Sequence, residues 1–209
     1  MASPSTLVGD YTVQGNLTCT GTISSPAQQY LNSNASAIYG IPFTDLREVT
    51  AFNTVLPSAG TGAHLGLYGG TIGSNGPLIA TGDIKTTSGT RSARFQFCLP
   101  PEYVAGGTVV LRASGGMQTT VASTTANVDF QAYKLSRTAA APSADLCATA
   151  AQSINSLTFA DKSFTVTATT LSPGDWLDVE VDLIYVDAAT GTVVNLTLGA
   201  IEVLLQTHG

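Results

Sequence analysis

The stretch DWLDVEVDLI, residues 175–184, alternates without a break: Leu177, Val179, Val181 and Leu183 fall on one side, and Asp178, Glu180 and Asp182 on the other. Such a period of two is the pattern of a strand with one buried face. RSARFQFCLPP, residues 91–101, repeats it. Phe95, Phe97 and Leu99 point one way, and Arg94, Gln96 and Cys98 the other. Pro100 and Pro101 then end the ladder, because neither has an N–H to donate. Two aromatics on one face predict a central core strand.

The same alternation recurs from residue 41 onward in short runs separated by turn chemistry. Segments at 46–56, 63–68, 78–81, 91–99, 108–113, 127–135, 163–170, 176–186 and 192–205 are punctuated by Pro57, Gly69-Gly70 and Ser74-Asn75-Gly76-Pro77. This spacing predicts an all-β chain, a jelly-roll-like β-sandwich over residues 41–209. A single helix is predicted in SADLCATAAQ, residues 143–152, where Ser143 can cap and Asp145 suits the first turn. Helices and strands do not alternate, so an α/β fold is not expected.

Residues 1–40 read as an extended N-terminal arm and connector. GDYTVQGNLTCTGTIS, residues 9–24, repeats with a step of six on Gly9, Gly15 and Gly21. Six is even, so Tyr11, Val13, Leu17, Cys19 and Ile23 share one face of a ribbon. Burying five such side chains contributes about 7–15 kcal/mol, less than the cost of ordering some sixteen residues. The ribbon therefore needs a surface to pair with, either this chain's own sheet or a neighbouring copy or underlying lattice.

Composition narrows the partners. Of 209 residues, only 11% are charged and 44% are hydrophobic, and the net charge is −6 with eight Lys and Arg in all. Phosphate binding needs clustered cations, so no nucleic-acid contact is expected. No run approaches the ~20 apolar residues of a membrane helix, and residues 1–9 show neither the basic nor the apolar region of a signal peptide. Cys19, Cys98 and Cys147 are too far apart in sequence for a zinc motif and are read as reduced thiols.

Chemistry-bearing patterns are sparse. His64 and His208 lack a nucleophile motif such as G-x-S-x-G, and the glycines of GAHLGLYGGTIGSNGP match no phosphate-binding loop. Asp178, Glu180 and Asp182 could be considered as metal ligands or as glycosidase acids. Alternate residues on one strand lie roughly 6.6 Å apart, too far for one strand to wrap a calcium ion. They are read as a solvated or interfacial acidic face, able to meet Arg47, Arg91, Arg94 or Arg137 of a neighbouring copy. Trp176, Tyr68, Tyr103 and Tyr133 are the aromatics that could form a sugar platform. No metal, cofactor or catalytic residue is predicted.

The repeat G-[DN]-x-T-x-x-G resembles those of trimeric tail-fibre and head-decoration proteins of tailed bacteriophages. RFQFCLPPEYVAGGTVVLR, DLCATAAQSIN and LSPGDWLDVEVDLIYVD, within residues 85–205, resemble a domain that recurs among virion proteins of such phages. The resemblance implies a non-enzymatic homotrimer assembled in the host cytoplasm. It would bind the major capsid protein on the head surface as a decoration or cement protein. A tail-fibre or receptor-binding protein and a carbohydrate-binding module are the alternatives. The resemblance transfers no catalytic residue.

Overall fold

A computed structural model describes residues 34–118, 123–136, 138, 140–188 and 193–208. It contains ten strands: β1 Asn34–Gly40, β2 Gly66–Tyr68, β3 Leu78–Ala80, β4 Ser88–Cys98, β5 Val109–Met117, β6 Ser123–Lys134, β7 Gln152–Ser153, β8 Ala160–Val166, β9 Trp176–Asp187 and β10 Leu196–His208. One 3-10 turn lies at Phe43–Asp45, and no α-helix occurs among the described residues. All strand pairs are antiparallel. One sheet has the order β2-β3-β10-β5-β8, and the other β4-β9-β6-β7. β5 takes one side of β10, so β3 and β1 share its other side, β3 at residues 197–198 and β1 at residues 202–208. Strands β3 to β10 thus form two facing four-stranded layers, 3-10-5-8 and 4-9-6-7, which is the jelly-roll order.

Alternation in sequence becomes the core. Leu177, Val179, Val181 and Leu183 of β9 are fully buried, with Phe95 of β4 and Val128, Phe130 and Ala132 of β6 beside them. Across the layer stand Val109, Leu111 and Ala113 of β5, Phe164 of β8, and Ile201, Val203 and Leu205 of β10. Phe130 and Phe164 meet edge to face at 5.1 Å and join the two sheets. A register shift between Leu198 and Ala200 changes which parity of β10 points inward, so that Leu196 and Leu198 are followed inside by Ile201 and Val203.

Four details differ from the sequence reading. β4 is not central: β9 is, and β4 lies at the margin of its sheet. Loop backbone covers its outer edge, with Arg47 and Arg94 exchanging N–H···O bonds of 2.8 and 2.9 Å and Leu65 N–H reaching Ser92 O at 3.0 Å. Residues 46–56 form no continuous strand, only isolated bridges from Arg47 to Val55 and to Arg94. Residues 34–40, read as connector, form β1, so the sandwich reaches back to Asn34.

The helix expected at 143–152 is absent. Its backbone finds partners on two sheets instead: Leu146 N–H donates to Ala132 O at 2.8 Å, and Thr167 N–H donates to Leu146 O at 2.7 Å. Asp145 Oδ1 accepts from the N–H groups of Ala132 and Cys147, both at 2.9 Å. The arm residues Tyr11, Val13, Leu17, Cys19 and Ile23 lie outside the described residues.

Candidate functional site

The outer face of β4, β9 and β6 collects the polar halves of three alternating strands. Strand register sets them in rows: Gln96–Asp178–Tyr133, Arg94–Glu180–Gln131 and Ser92–Asp182–Asp129. One residue pair further along, Trp176 faces the same way opposite Cys98, with 46% of its surface exposed. A cleft of about 210 Å³ opens on this face, lined by Val49, Arg94, Tyr133, Pro142, Asp178 and Glu180. Strands make its floor, and the 47–52 and 142–145 segments supply its walls.

The three carboxylates share a face, as the alternation predicts, but they are not a freely solvated strip. Asp178 and Asp182 are 7% and 6% exposed, because longer side chains from β4 and β6 lean over them. Arg94 Nε donates to Asp178 Oδ1 at 2.6 Å, and its Nη2 donates to Oδ2. The cation that meets this row is therefore the chain's own Arg94. The Phe52 ring lies 5.0 Å from the guanidinium and backs it from the wall. The Ser92 hydroxyl donates to Asp182 Oδ1, Gln131 Nε2 donates to Asp182 Oδ2 at 3.2 Å, and Tyr133 OH donates to Gln131 Oε1 at 2.6 Å.

These contacts sort the acids. The carboxyl group of Glu180 is pushed up to about 7, first by burial and then by the charge of Asp182. Asp129 is also raised, by burial and then by Asp182 and Asp145. Arg94 is held more firmly charged by Asp178. The face thus combines a fixed guanidinium–carboxylate fork, an amide, a phenol, and one carboxyl group that is half neutral near pH 7.

Other sequence candidates lie elsewhere. Tyr103 is fully buried and donates its hydroxyl to Gly107 O at 2.7 Å. Tyr68 belongs to β2 in the other sheet and accepts from Gly60 N–H at 3.3 Å. His64 lies 3.7 Å from Glu48 in the loop that covers β4, whereas His208 ends β10. Among the described residues no group of three or more His, Cys, Asp or Glu is placed to hold a metal ion. Cys98 and Cys147 are free thiols, and burial pushes Cys147 up to about 11. Sequence reasoning did not single out Asp129, Gln131 or Pro142 as site residues. Alternation in NVDFQAYK assigns Asp129 and Gln131 to a polar face, but only strand pairing sets that face beside β9.

No protein-family model and no curated protein matches the chain. Among solved structures, the CBM22-1 xylan-binding domain of Paenibacillus barcinonensis Xyn10C is 11% identical, with 85% of this chain and 99% of that one covered at a TM-score of 0.45. The xylan-binding module CBM15 is 14% identical, with coverages of 84% and 100% and a TM-score of 0.46. TmCBM61, solved with β-1,4-galactotriose, is 9% identical over 82% of this chain and 88% of its own at a TM-score of 0.34. At these scores the likenesses carry no argument, and the fold rests on the strand order itself.

Proposed function

We propose that the outer face of β4, β9 and β6 binds carbohydrate without acting on it chemically. The observation that carries this reading is the alignment, on one sheet face, of exposed Trp176 with the cleft of Arg94, Tyr133, Asp178 and Glu180. A sugar ring has an apolar C–H face and a rim of hydroxyls that both donate and accept. An indole offers a flat apolar surface for the first, while carboxylates, an amide and a guanidinium match the second. The cleft is smaller than the ~300 Å³ or more that encloses a compact ligand. It suits a saccharide chain passing along the sheet.

Glycosidases flank the scissile bond with two working carboxyl groups. Asp178 is engaged by Arg94 and Asp182 by Ser92 and Gln131, so neither carboxylate beside Glu180 on β9 is free to work with it, which supports binding rather than hydrolysis. The cement function expected from sequence depended on the arm, and no feature of the described residues favours head attachment. A glycan-binding face fits the receptor-binding alternative better.

The chain has a single Trp, so its emission reports this face alone. Titration with soluble polysaccharides is expected to change that emission. Affinity electrophoresis is expected to show about tenfold weaker retardation of Trp176→Ala, with little loss of stability because the ring is half exposed. Unchanged emission across hydroxyethylcellulose, dextran, galactan and arabinoxylan would refute the proposal.

A further inference from the structure

Resting on the carbohydrate reading, we infer that this cleft selects uncharged glycans and excludes anionic ones, with Glu180 as the residue that makes that binding depend on pH. Among the described residues, the one cation that lines the cleft is already paired with a carboxylate. Arg94 makes two hydrogen bonds to Asp178. Lys134 is paired with Asp175 at 2.7 Å and reaches Thr170 O. Arg47 and Arg91 donate to backbone carbonyls, of Thr44 and Leu46 and of Gly60 and Thr81, and neither lines the cleft. A uronate or phosphate entering the cleft would find no free positive partner among its described lining residues.

It would meet carboxylates instead. Glu180 occupies the middle row, with Asp178 and Asp182 two residues away on its own strand. β4 presents Arg94 and Ser92 to it, β6 presents Asp129, Gln131 and Tyr133, and Asp145 stands on the wall beyond β6. The 47–52 wall adds apolar Val49 and Phe52, which bring no charge. Covering Glu180 with a saccharide removes water from it, which costs more for a carboxylate than for a neutral carboxyl group. The neutral form also carries a proton to share with Asp182 or with a sugar hydroxyl, which the carboxylate lacks. Its titration near 7 places this choice within the neutral range. Binding of an uncharged glycan therefore strengthens as pH falls through 7, by about tenfold if the ligand raises the group one further unit.

The test is affinity electrophoresis and calorimetry at pH 5.5 and 8.5 with hydroxyethylcellulose, dextran and arabinoxylan as uncharged probes and polygalacturonate as the anionic one. The wild type is expected to bind at least one uncharged polymer about tenfold more tightly at pH 5.5, and polygalacturonate at least tenfold more weakly than that polymer. Glu180→Gln is expected to bind equally at both pH values, at the strength of the wild type at pH 5.5. Comparable binding of polygalacturonate, or an unchanged pH dependence in Glu180→Gln, would overturn this selectivity while leaving carbohydrate binding in place. Failure of every polymer at both pH values would overturn the carbohydrate reading and this inference with it.

Discussion

Glu180 is half-buried between two aspartates, and its placement has a consequence for stability separate from any ligand. Its carboxyl group titrates at about 7 in the folded chain, above the ordinary value near 4.5, so the folded state holds its proton more tightly than the unfolded state does. Stability from this group is full below pH 4.5 and is lost as pH rises towards and through 7. Because the side chain is only half-buried, solvent screening reduces the effect to on the order of 1 kcal/mol. Glu180→Gln is expected to raise the melting temperature at pH 8 and to leave it unchanged at pH 5, as read by thermal denaturation. The sequence shows that Asp178, Glu180 and Asp182 share a face. It does not show that Arg94 pairs with Asp178 or that Ser92 and Gln131 hold Asp182, because those contacts depend on which strands lie on either side of β9.

At the level of elements, the segment after β6 shows how partners decide local structure. Residues 143–152 carry Ala, Leu, Gln and a capping Ser, and propensity alone favours a helix. Asp145 instead binds the N–H of Ala132 on β6 and that of Cys147, while Leu146 bridges β6 and the chain just after β8. Removing these hydrogen bonds with Asp145→Ala is expected to cost about 1–3 kcal/mol in denaturant unfolding. The β-strands were legible where alternation was strong, as in β4, β6 and β9. β1 was not: NASAIYG is short and mostly small, and it pairs because β10 extends past β3 and leaves an open edge at residues 202–208. The reading of 46–56 as a strand failed for the converse reason, since its apolar residues pack from loops without a ladder to join.

For the whole molecule, the jelly-roll order makes β10 the seam that collects β1, β3 and β5. Removing residues 1–33 is expected to leave a cooperative melt and a β-type circular dichroism spectrum. Removing residues 1–40 uncovers the seven β1 positions paired along β10, and is expected to lower the melting temperature and promote association through the exposed edge. Fold class and layer faces could be read from the sequence, because each strand carries its own alternation. The site could be read only in part, because a face built from three strands needs their order. The central claim is that carbohydrate lies across β4, β9 and β6. The most direct measurement is amide chemical-shift mapping during titration with an uncharged polysaccharide fragment. Shifts are expected at Arg94, Gln131, Tyr133, Trp176, Asp178 and Glu180, with the outer face of β10 and β5 unmoved. Shifts confined to the six-stranded sheet, or none at saturating sugar, would contradict the account.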